Sequence, residues 1–382
     1  MKAAVAAELA AEYHSALVDR IREADYSYTS GRLTIHLARE FGFCYGVDRA
    51  VDYAYQARRR FGDRNIFLTG EIIHNPHVNA RLRANGIRFL SDPGESVDAI
   101  GPDDVVILPA FGVSVAEMLR LQRTGCTLVD TTCGSVLNVW KNVRQYAADG
   151  FTAVIHGKHR HEETRATASQ ALVYPGGQYL VVLDRAEAAI VCDYIRHGGD
   201  REAFLAKFRE ACSPGFDPDR HLERIGCANQ TTMLASESLA IAADVRASMA
   251  RRYGEAALAD HFRSFDTICS ATQERQDAVL KMMQDPPDLM IVLGGYNSSN
   301  TNHLAHLCRG YTTTYHIADP GGIDAEAGTI RHKPGLAPDA PETVTAGWLP
   351  PGPVTVGLTA GASTPNNKLG ETVERILATR GI

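Results

Sequence analysis

Three of the eight cysteines, Cys44, Cys133 and Cys269, occupy similar places in the sequence. Each follows a short apolar stretch typical of a strand and precedes a stretch typical of a helix. Gly42 and Gly46 flank Cys44, and glycine lets a backbone turn sharply and approach a bulky ligand closely. A single cysteine at such a turn is most often a buried structural residue. Because the arrangement occurs three times, we interpret these thiols as functional.

A polar loop follows each cysteine after 30, 28 and 29 residues, at His74, His161 and Ser298 respectively. Each repeat has the order strand, cysteine, helix, strand, polar loop, helix, strand. In parallel α/β units, ligand-binding groups gather at the carboxyl ends of strands, so we expect the three thiols and three loops to meet. The sequence therefore predicts an α/β fold built from three pseudo-symmetric modules around a common centre.

Three converging thiolates can bind zinc or three irons of a [4Fe-4S] cluster. Structural zinc sites usually include a closely spaced cysteine pair, and this sequence has none. The three cysteines lie 89 and 136 residues apart. This spacing favours one [4Fe-4S] cluster with three cysteine ligands and an open iron site, which would act as a Lewis acid and pass electrons.

The polar loops are rich in neutral or weakly basic side chains, which suit a phosphate or diphosphate. Serines here could equally be helix N-caps, and a histidine near a strand end is more often structural. Glu162 and Glu163 follow His161, and one of them is a candidate proton donor. The alternative is a first-turn acid favoured by the helix dipole. The candidate binding residues are His74, His161, Ser298, Ser299, Asn300 and Ser363.

The remaining cysteines are interpreted as structural. Cys227 lies nearest to the predicted site, just before Gln230-Thr-Thr232. The others are predicted on a strand, in a helical insertion and on a helix; they are Cys126, Cys192, Cys212 and Cys308.

Composition narrows the class of protein. With 39 basic and 45 acidic residues the net charge is -6, so no broad basic field invites nucleic acid. The first thirty residues lack the features of a signal or transit peptide, and no run approaches the ~18 apolar residues that span a bilayer. We therefore expect a cytoplasmic protein without a membrane segment. Residues 1–31 are predicted to form a helical extension, and residues 315–352 a surface loop region rich in proline and glycine.

Taken together and in order, the motifs resemble the LytB family of 4-hydroxy-3-methylbut-2-enyl diphosphate reductases, in the form found in cyanobacteria and plants. The resemblance spans about residues 33–380. The motifs that carry it are Gly42-Phe-Cys-Tyr-Gly-Val, Ile73-His-Asn75, Asp130-Thr-Thr-Cys133, His156-Gly-Lys with His161-Glu-Glu-Thr164, Gln230-Thr-Thr232, Asp266-Thr-Ile-Cys269, Asn297-Ser-Ser-Asn300 and Gly361-Ala-Ser363.

The resemblance implies a role for each candidate residue. The three repeated cysteines would bind the cluster, and the six binding residues would hold the diphosphate. Thr231 would meet the substrate hydroxyl and Glu163 would deliver protons. Many bacterial relatives carry histidine at the position of Phe111, so we leave Phe111 out of the predicted site.

The resemblance also implies a trefoil of three domains around the cluster. We place the modules at 45–133, at 134–264 with an insertion near 185–222, and at 32–44 joined to 265–382 with an insertion near 315–352. The implied reaction is reductive dehydroxylation of the diphosphate, the last step of the methylerythritol phosphate route to isoprenoids. Reduced ferredoxin or flavodoxin is the expected electron donor.

Two other readings of a three-cysteine cluster remain open. One is a dehydratase or condensing enzyme of the quinolinate synthase kind, whose dicarboxylate substrate would call for arginine-rich loops. The other is a redox or iron sensor without enzymatic activity. The loops here are dominated by His, Ser and Asn, which favours the reductase.

Overall fold

The computed structural model describes residues 2–265, 267–335 and 340–382, without the side chain of Lys2. Helices and strands alternate along most of this length. In chain order the helices are α1 (Lys2–Tyr13), α2 (Ala16–Glu23), α3 (Tyr45–Arg60), α4 (Pro76–Ala84), α5 (Val115–Thr124), α6 (Gly134–Ala148), α7 (Glu162–Ala171), α8 (Arg185–His197), α9 (Arg201–Lys207), α10 (Pro218–His221), α11 (Ala235–Tyr253), α12 (Leu258–His261), α13 (Ser270–Met282), α14 (Ser299–Arg309) and α15 (Asn366–Ala378). The strands are β1 (Ser27–Ser30), β2 (Leu33–Leu37), β3 (Ile66–Leu68), β4 (Ile87–Phe89), β5 (Val105–Leu108), β6 (Thr127–Asp130), β7 (Thr152–His156), β8 (Tyr179–Val182), β9 (Ile225–Asn229), β10 (Phe262–Ser264), β11 (Leu289–Leu293), β12 (Thr313–Ile317), β13 (Ile323–Asp324), β14 (Thr329–His332), β15 (Thr343–Ala346) and β16 (Val354–Ala360).

The chain divides into two compact units, Met1–Phe89 with Ser270–Ile382, and Leu90–Cys269. The first unit contains a five-stranded sheet in the order β1-β2-β16-β11-β12. Strands β2, β16, β11 and β12 run parallel, and β1 pairs antiparallel with β2. Every residue of β11 is buried, as expected of a central parallel strand that reads as a continuous apolar run. A shorter parallel pair, β3 and β4, also belongs to this unit.

Helices pack on both faces of the five-stranded sheet. Val18 of α2 and Leu369 of α15 belong to one buried cluster with strand residues. Val279 of α13 and Leu304 of α14 belong to another. Cys44, Ser298 and Ser363 follow the carboxyl ends of three parallel strands, β2, β11 and β16. The sheet therefore brings one repeated cysteine and two polar loops to the same edge.

The second unit contains a parallel four-stranded sheet in the order β10-β9-β7-β8, together with the parallel pair β5 and β6. Phe151, Ile155 and Ile225 contribute to its core. The predicted insertion near 185–222 contains α8, α9 and α10. Helix α8 packs against α11 and places Val191 and Ile195 in the same core. This segment is thus part of the unit's hydrophobic interior.

The N-terminal extension differs from the continuous helical segment predicted for residues 1–31. It forms two helices, because Ser15 caps a new helix by accepting a hydrogen bond from the backbone N–H of Val18. Asp25 and Tyr26 then adopt left-handed φ angles of 52° and 61°, which reverse the chain. Residues 27–30 form the edge strand β1, so the helical prediction is wrong for them.

The prediction of a surface loop region at 315–352 is also wrong in part. Within its described residues lies an antiparallel sheet in the order β13-β14-β15. Ile330 of β14 is fully buried while Arg331 is exposed, as strand alternation requires. Pro320, Pro334 and Pro350 all lie outside the three strands, so the proline-rich composition concealed the short strands between them.

No helix in the described part of the chain is both long and apolar enough to cross a bilayer.

We predict that Gly226→Ala destabilises the second unit. A Cβ on Gly226 would lie 2.4 Å from ring atoms of Tyr146. That ring is fully buried, and its hydroxyl donates to the Cys227 carbonyl at 2.9 Å, so it cannot move freely. We expect a loss of about 1–3 kcal/mol in the free energy of unfolding, seen as a lower midpoint of thermal unfolding. The control is Gly62→Ala, whose new Cβ would meet its nearest atom at 3.8 Å. Equal midpoints for the two variants would contradict the packing argument.

Candidate active site

Each of the three repeated cysteines immediately precedes a helix, as predicted. Cys44 and Cys133 are the extended N-cap residues of α3 and α6, and neither side chain makes a capping hydrogen bond. Cys269 is followed directly by α13. All three thiols are half-buried. The positive end of a helix dipole favours a negatively charged group such as a thiolate ligand. Asp266, the first residue of the segment that ends in Cys269, lies outside the described residues.

The other cysteines have the surroundings of structural residues. Cys227 and Cys308 are buried in hydrophobic clusters, and burial raises the pKa of each thiol to about 12. Burial also raises the pKa of Cys192 and of Cys212. A raised pKa disfavours the thiolate form, which is the form that binds metals. The Cys126 thiol faces the carbonyl of Leu121 at 3.8 Å.

In the first unit, the start of α14 carries three predicted binding residues. Ser298 is the N-cap, and its Oγ accepts hydrogen bonds from the Thr301 backbone N–H at 3.3 Å and from the Thr301 hydroxyl at 2.9 Å. The capping role considered for Ser298 is therefore confirmed. Ser299 is 2 % exposed and Asn300 is 3 % exposed. Asn300 Oδ1 accepts from the Ala362 N–H at 3.0 Å, which leaves the amide NH₂ as a donor.

Two buried polar atoms in this turn suit a bound ligand. Among the described residues, Ser299 Oγ and Asn300 Nδ2 have no hydrogen-bond partner. Burying a polar group without a partner costs about 1–3 kcal/mol. An anion at the N-terminus of α14 would accept hydrogen bonds from both and would also interact favourably with the helix dipole.

The Gly361–Ser363 turn and the His74 loop adjoin this helix start. The backbone N–H of Cys44 donates to the Ala362 carbonyl at 3.2 Å. The Ser363 hydroxyl donates to the His74 carbonyl at 3.3 Å. Helix α15 begins at Asn366, so the capping alternative considered for Ser363 is wrong. Together these contacts place Cys44, His74, Asn300 and Ser363 in one region of the first unit.

The ring of His74 is oriented by a carboxylate that the sequence analysis missed. Its Nδ1 lies 2.8 Å from Glu71 Oε2. A carboxylate on one ring nitrogen fixes the tautomer and directs the other nitrogen, Nε2, away from it. The only sequence signal was an acid three residues before the histidine.

In the second unit, a chain of hydrogen bonds joins Cys269, Thr231, Glu163 and His161. The Cys269 N–H donates to the Thr231 carbonyl at 3.3 Å. The Thr231 N–H donates to Glu163 Oε1 at 2.6 Å. The Glu163 N–H in turn donates to His161 Nδ1 at 3.2 Å, which makes His161 the N-cap of α7. One predicted cluster ligand is therefore two hydrogen bonds away from the predicted proton donor.

The two neighbouring acids of α7 have different surroundings. Glu163 is 3 % exposed and faces Thr231, whereas Glu162 is exposed at the helix surface. This contrast supports the choice of Glu163, which the sequence motif alone had suggested. Glu162 has the position of an ordinary first-turn acid.

Further residues shape this half of the site. Gln230 Oε1 accepts from the Thr164 hydroxyl at 3.0 Å and from the Lys158 N–H at 3.2 Å, so it connects α7 and the loop before it to the residue that follows β9. Its motif was visible in the sequence, but its role was not. The ring of Phe111 meets the His161 ring edge-on, with centroids 6.2 Å apart. Phe111 thus contacts a predicted binding residue although it offers no hydrogen bond.

The predicted site residues therefore form two sets. Convergence of the two sets on one centre stays a prediction. The first unit contains Cys44, His74, Ser298, Ser299, Asn300 and Ser363. In the second unit, hydrogen bonds join Cys269, Thr231, Glu163 and His161, whereas Cys133 packs against the cluster of Val136, Trp140 and Ala166.

Comparisons with known proteins agree in one family. The family model described as LytB protein matches residues 35–377. Curated relatives named 4-hydroxy-3-methylbut-2-enyl diphosphate reductase, from Thermosynechococcus vestitus and Gloeobacter violaceus, are each 50 % identical to the chain. The matches cover 98 % and 100 % of this chain and 92 % and 91 % of the relatives. A solved structure of (E)-4-hydroxy-3-methyl-but-2-enyl diphosphate reductase, the terminal enzyme of the non-mevalonate pathway, has a TM-score of 0.54 and 25 % identity, covering 90 % of this chain and 98 % of that one.

Proposed function

The chain belongs to the LytB protein family, and we propose that it reduces (E)-4-hydroxy-3-methylbut-2-enyl diphosphate to isopentenyl diphosphate and dimethylallyl diphosphate. The reaction consumes two electrons and two protons and releases water. It is the last step of the methylerythritol phosphate route to isoprenoids. The observation that carries the proposal is the contact chain from Cys269 through Thr231 to the buried Glu163 carboxylate. It links a thiol ligand to a group able to donate a proton.

Cys44, Cys133 and Cys269 would hold one [4Fe-4S] cluster that leaves one iron without a protein ligand. Their fit rests on the donor set: three half-buried thiols, each at the start of a helix, whereas burial raises the pKa of the Cys227 and Cys308 thiols. When bound, such a cluster supplies electrons and an open coordination position for a substrate oxygen. The three modules that carry these cysteines, 45–133, 134–264 and 32–44 with 265–382, would surround it as a trefoil.

The neutral polar set would bind the diphosphate. Ser299 Oγ and Asn300 Nδ2 would donate to phosphate oxygens from the first turn of α14. Ser298, Ser363, His74 and His161 would complete the hydrogen bonds. A predominantly neutral set relies on hydrogen bonds and the helix dipole to hold the anion.

Glu163 would donate a proton to the hydroxyl group that leaves as water. Thr231 would position that hydroxyl. Its backbone N–H donates to Glu163 Oε1 at 2.6 Å, so Thr231 lies beside the group that would donate the proton. Burial of Glu163 excludes bulk water and so confines proton transfer to the substrate. A second proton then completes either product, depending on which end of the allylic group receives it.

Reduced ferredoxin or flavodoxin would supply the electrons, and we expect the reaction to take place in the cytoplasm. The decisive test is anaerobic purification followed by absorption and electron paramagnetic resonance spectra, with and without the diphosphate substrate. We expect a brown protein whose spectra change on addition of substrate, and turnover when a low-potential reductant is supplied. A colourless, zinc-containing protein without turnover would refute the proposal.

We predict that Asn300→Asp weakens binding of the diphosphate. The substitution keeps an oxygen to accept from the Ala362 N–H but replaces the amide donor by a negative charge. Loss of a hydrogen bond to a charged ligand costs about 1.5–3 kcal/mol, so we expect KM to rise by at least tenfold. Inorganic diphosphate binding, measured by calorimetry, should weaken in parallel. Asn142→Asp, at a half-buried position of α6 in the second unit, is the control with the same charge change. Equal KM values for both variants would contradict the assignment.

A further inference from the structure

Arg275 is a buried cation on α13, six residues after Cys269 in the sequence. It is 3 % exposed. Its Nη2 donates to the Gly42 carbonyl at 2.7 Å, and its Nη1 donates to the Ala271 carbonyl of its own helix at 2.8 Å. Burying a guanidinium costs free energy of folding unless hydrogen bonds compensate for the lost water. We therefore infer that Arg275 is buried here because of a specific contact.

The contact with Gly42 restrains the loop that carries Cys44. Gly42 has a φ of 79°, and a Cβ there would lie 2.4 Å from Asn366 Oδ1, so only glycine fits without rearrangement. Arg275 holds the loop at this carbonyl, two residues before Cys44. The Cys44 N–H holds it a second time, at the Ala362 carbonyl. The cysteine therefore lies on a loop fixed on both sides of Phe43.

The third donor, Arg275 Nε–H, has no acceptor among the residues that the structure describes. Leaving a buried charged donor unpaired costs at least as much as a neutral one. Asp48 is the nearby acid: its pKa is raised by burial, and the Arg275 charge acts in the opposite direction. The geometry thus combines a restrained ligand loop, a buried positive charge and a donor that lacks a protein acceptor.

We propose that Arg275 positions the Cys44 loop and that its Nε–H donates to a sulfur atom of the iron–sulfur cluster held by Cys44. This inference rests on the proposed function, because it requires that cluster. Hydrogen bonds to sulfur and nearby positive charge stabilise the reduced, more negative form of a cluster. Arg275 therefore raises the reduction potential and slows loss of the cluster.

The test compares three variants of the full chain purified without oxygen. Arg275→Gln removes the charge and the Nε–H donor, whereas Arg275→Lys keeps the charge alone. Arg309→Gln is the control, because Arg309, although only half-buried, also donates to a backbone carbonyl (Lys333, 2.7 Å) and lies on the neighbouring helix α14. Redox titrations followed by electron paramagnetic resonance give the potential, and bleaching by an iron chelator gives the rate of cluster loss.

For Arg275→Gln we expect the ratio of reduced to oxidised cluster at a fixed potential to fall at least tenfold, equivalent to about 59 mV for one electron. We also expect faster bleaching. Arg275→Lys should recover part of the potential but still bleach faster, and Arg309→Gln should match the unchanged chain in both. If Arg275→Gln folds but takes up no cluster, the positioning role is supported. The reduction potential is then measured on Arg275→Lys instead.

Equal potentials for Arg275→Gln and Arg309→Gln would overturn the inference and leave Arg275 a purely structural residue. A normal potential in Arg275→Lys, with normal bleaching, would overturn the donor role of Nε–H. Absence of any cluster from the unchanged chain is a different result, because it would refute the proposed function itself.

Discussion

Glu163→Gln is expected to lower kcat by about 10²–10⁴-fold, the usual contribution of a positioned proton donor. The amide has the shape of the carboxyl group, and its oxygen can still accept from the Thr231 N–H, which now bonds Glu163 Oε1 at 2.6 Å. The buried pocket around residue 163 is therefore preserved while the transferable proton is lost. Steady-state turnover with a low-potential reductant measures the effect.

The neighbouring acid provides the matched control for this experiment. Glu162→Gln makes the same chemical change one residue earlier, at an exposed position of α7, and should leave kcat within about twofold. Visible absorption should be unchanged in both variants, so lost turnover cannot be ascribed to a lost cluster. Near-normal kcat for Glu163→Gln would refute its role as proton donor, and a larger loss for Glu162→Gln would transfer that role to Glu162.

Cys133→Ser should abolish the visible absorption of the anaerobically purified protein and, with it, all turnover. A serine hydroxyl is a harder and weaker iron ligand than a thiolate. A cluster with three cysteine ligands would therefore keep only two of them. The fold should persist, because the backbone N–H of residue 133 still donates to the Ala110 carbonyl at 2.8 Å and α6 still begins at Gly134. Circular dichroism checks the fold, and iron analysis checks the cluster.

Cys126→Ser is the control for the ligand experiment. Cys126 is also half-buried and lies only seven residues before Cys133, but its thiol faces the Leu121 carbonyl. This variant should keep its iron and its colour. An intact spectrum for Cys133→Ser would refute the ligand assignment, and loss of colour in both variants would point to a general effect on folding.

Central elements of the fold were predictable because their burial leaves a local signal. Strands β5 (Val105–Leu108) and β11 (Leu289–Leu293) are uninterrupted apolar runs in the sequence, as expected of parallel strands covered on both faces. The edge strand β1 and the small sheet β13-β14-β15 were not predicted. These strands are short and lie at edges, and their pairing depends on partners elsewhere in the chain rather than on a local apolar pattern.

Predictability of the site followed the same division. The repeated pattern placed each of the three cysteines before a helix, because a repeated motif is a property of the sequence; the helix starts at 45, 134 and 270 come from the structure. The hydrogen bond from Arg275 to Gly42 spans 233 residues, and no local pattern announces it. The sequence also could not decide which serines are helix N-caps. Ser298 caps a helix and Ser363 does not, although both lie just before one. Only the backbone at each helix start distinguishes them.

The connectivity of the first unit sets an order of events during biosynthesis. Strand β2, which leads to Cys44, lies in the sheet between β1 and β16, and β16 begins only at Val354. Cys133 and Cys269 belong to the unit formed by one continuous segment, which can fold as soon as it emerges from the ribosome. The Cys44 loop acquires its Ala362 contact only after residue 362 has been synthesised. We therefore expect a cofactor held in part by Cys44 to be inserted only after strand β16 and the turn at Ala362 have been synthesised.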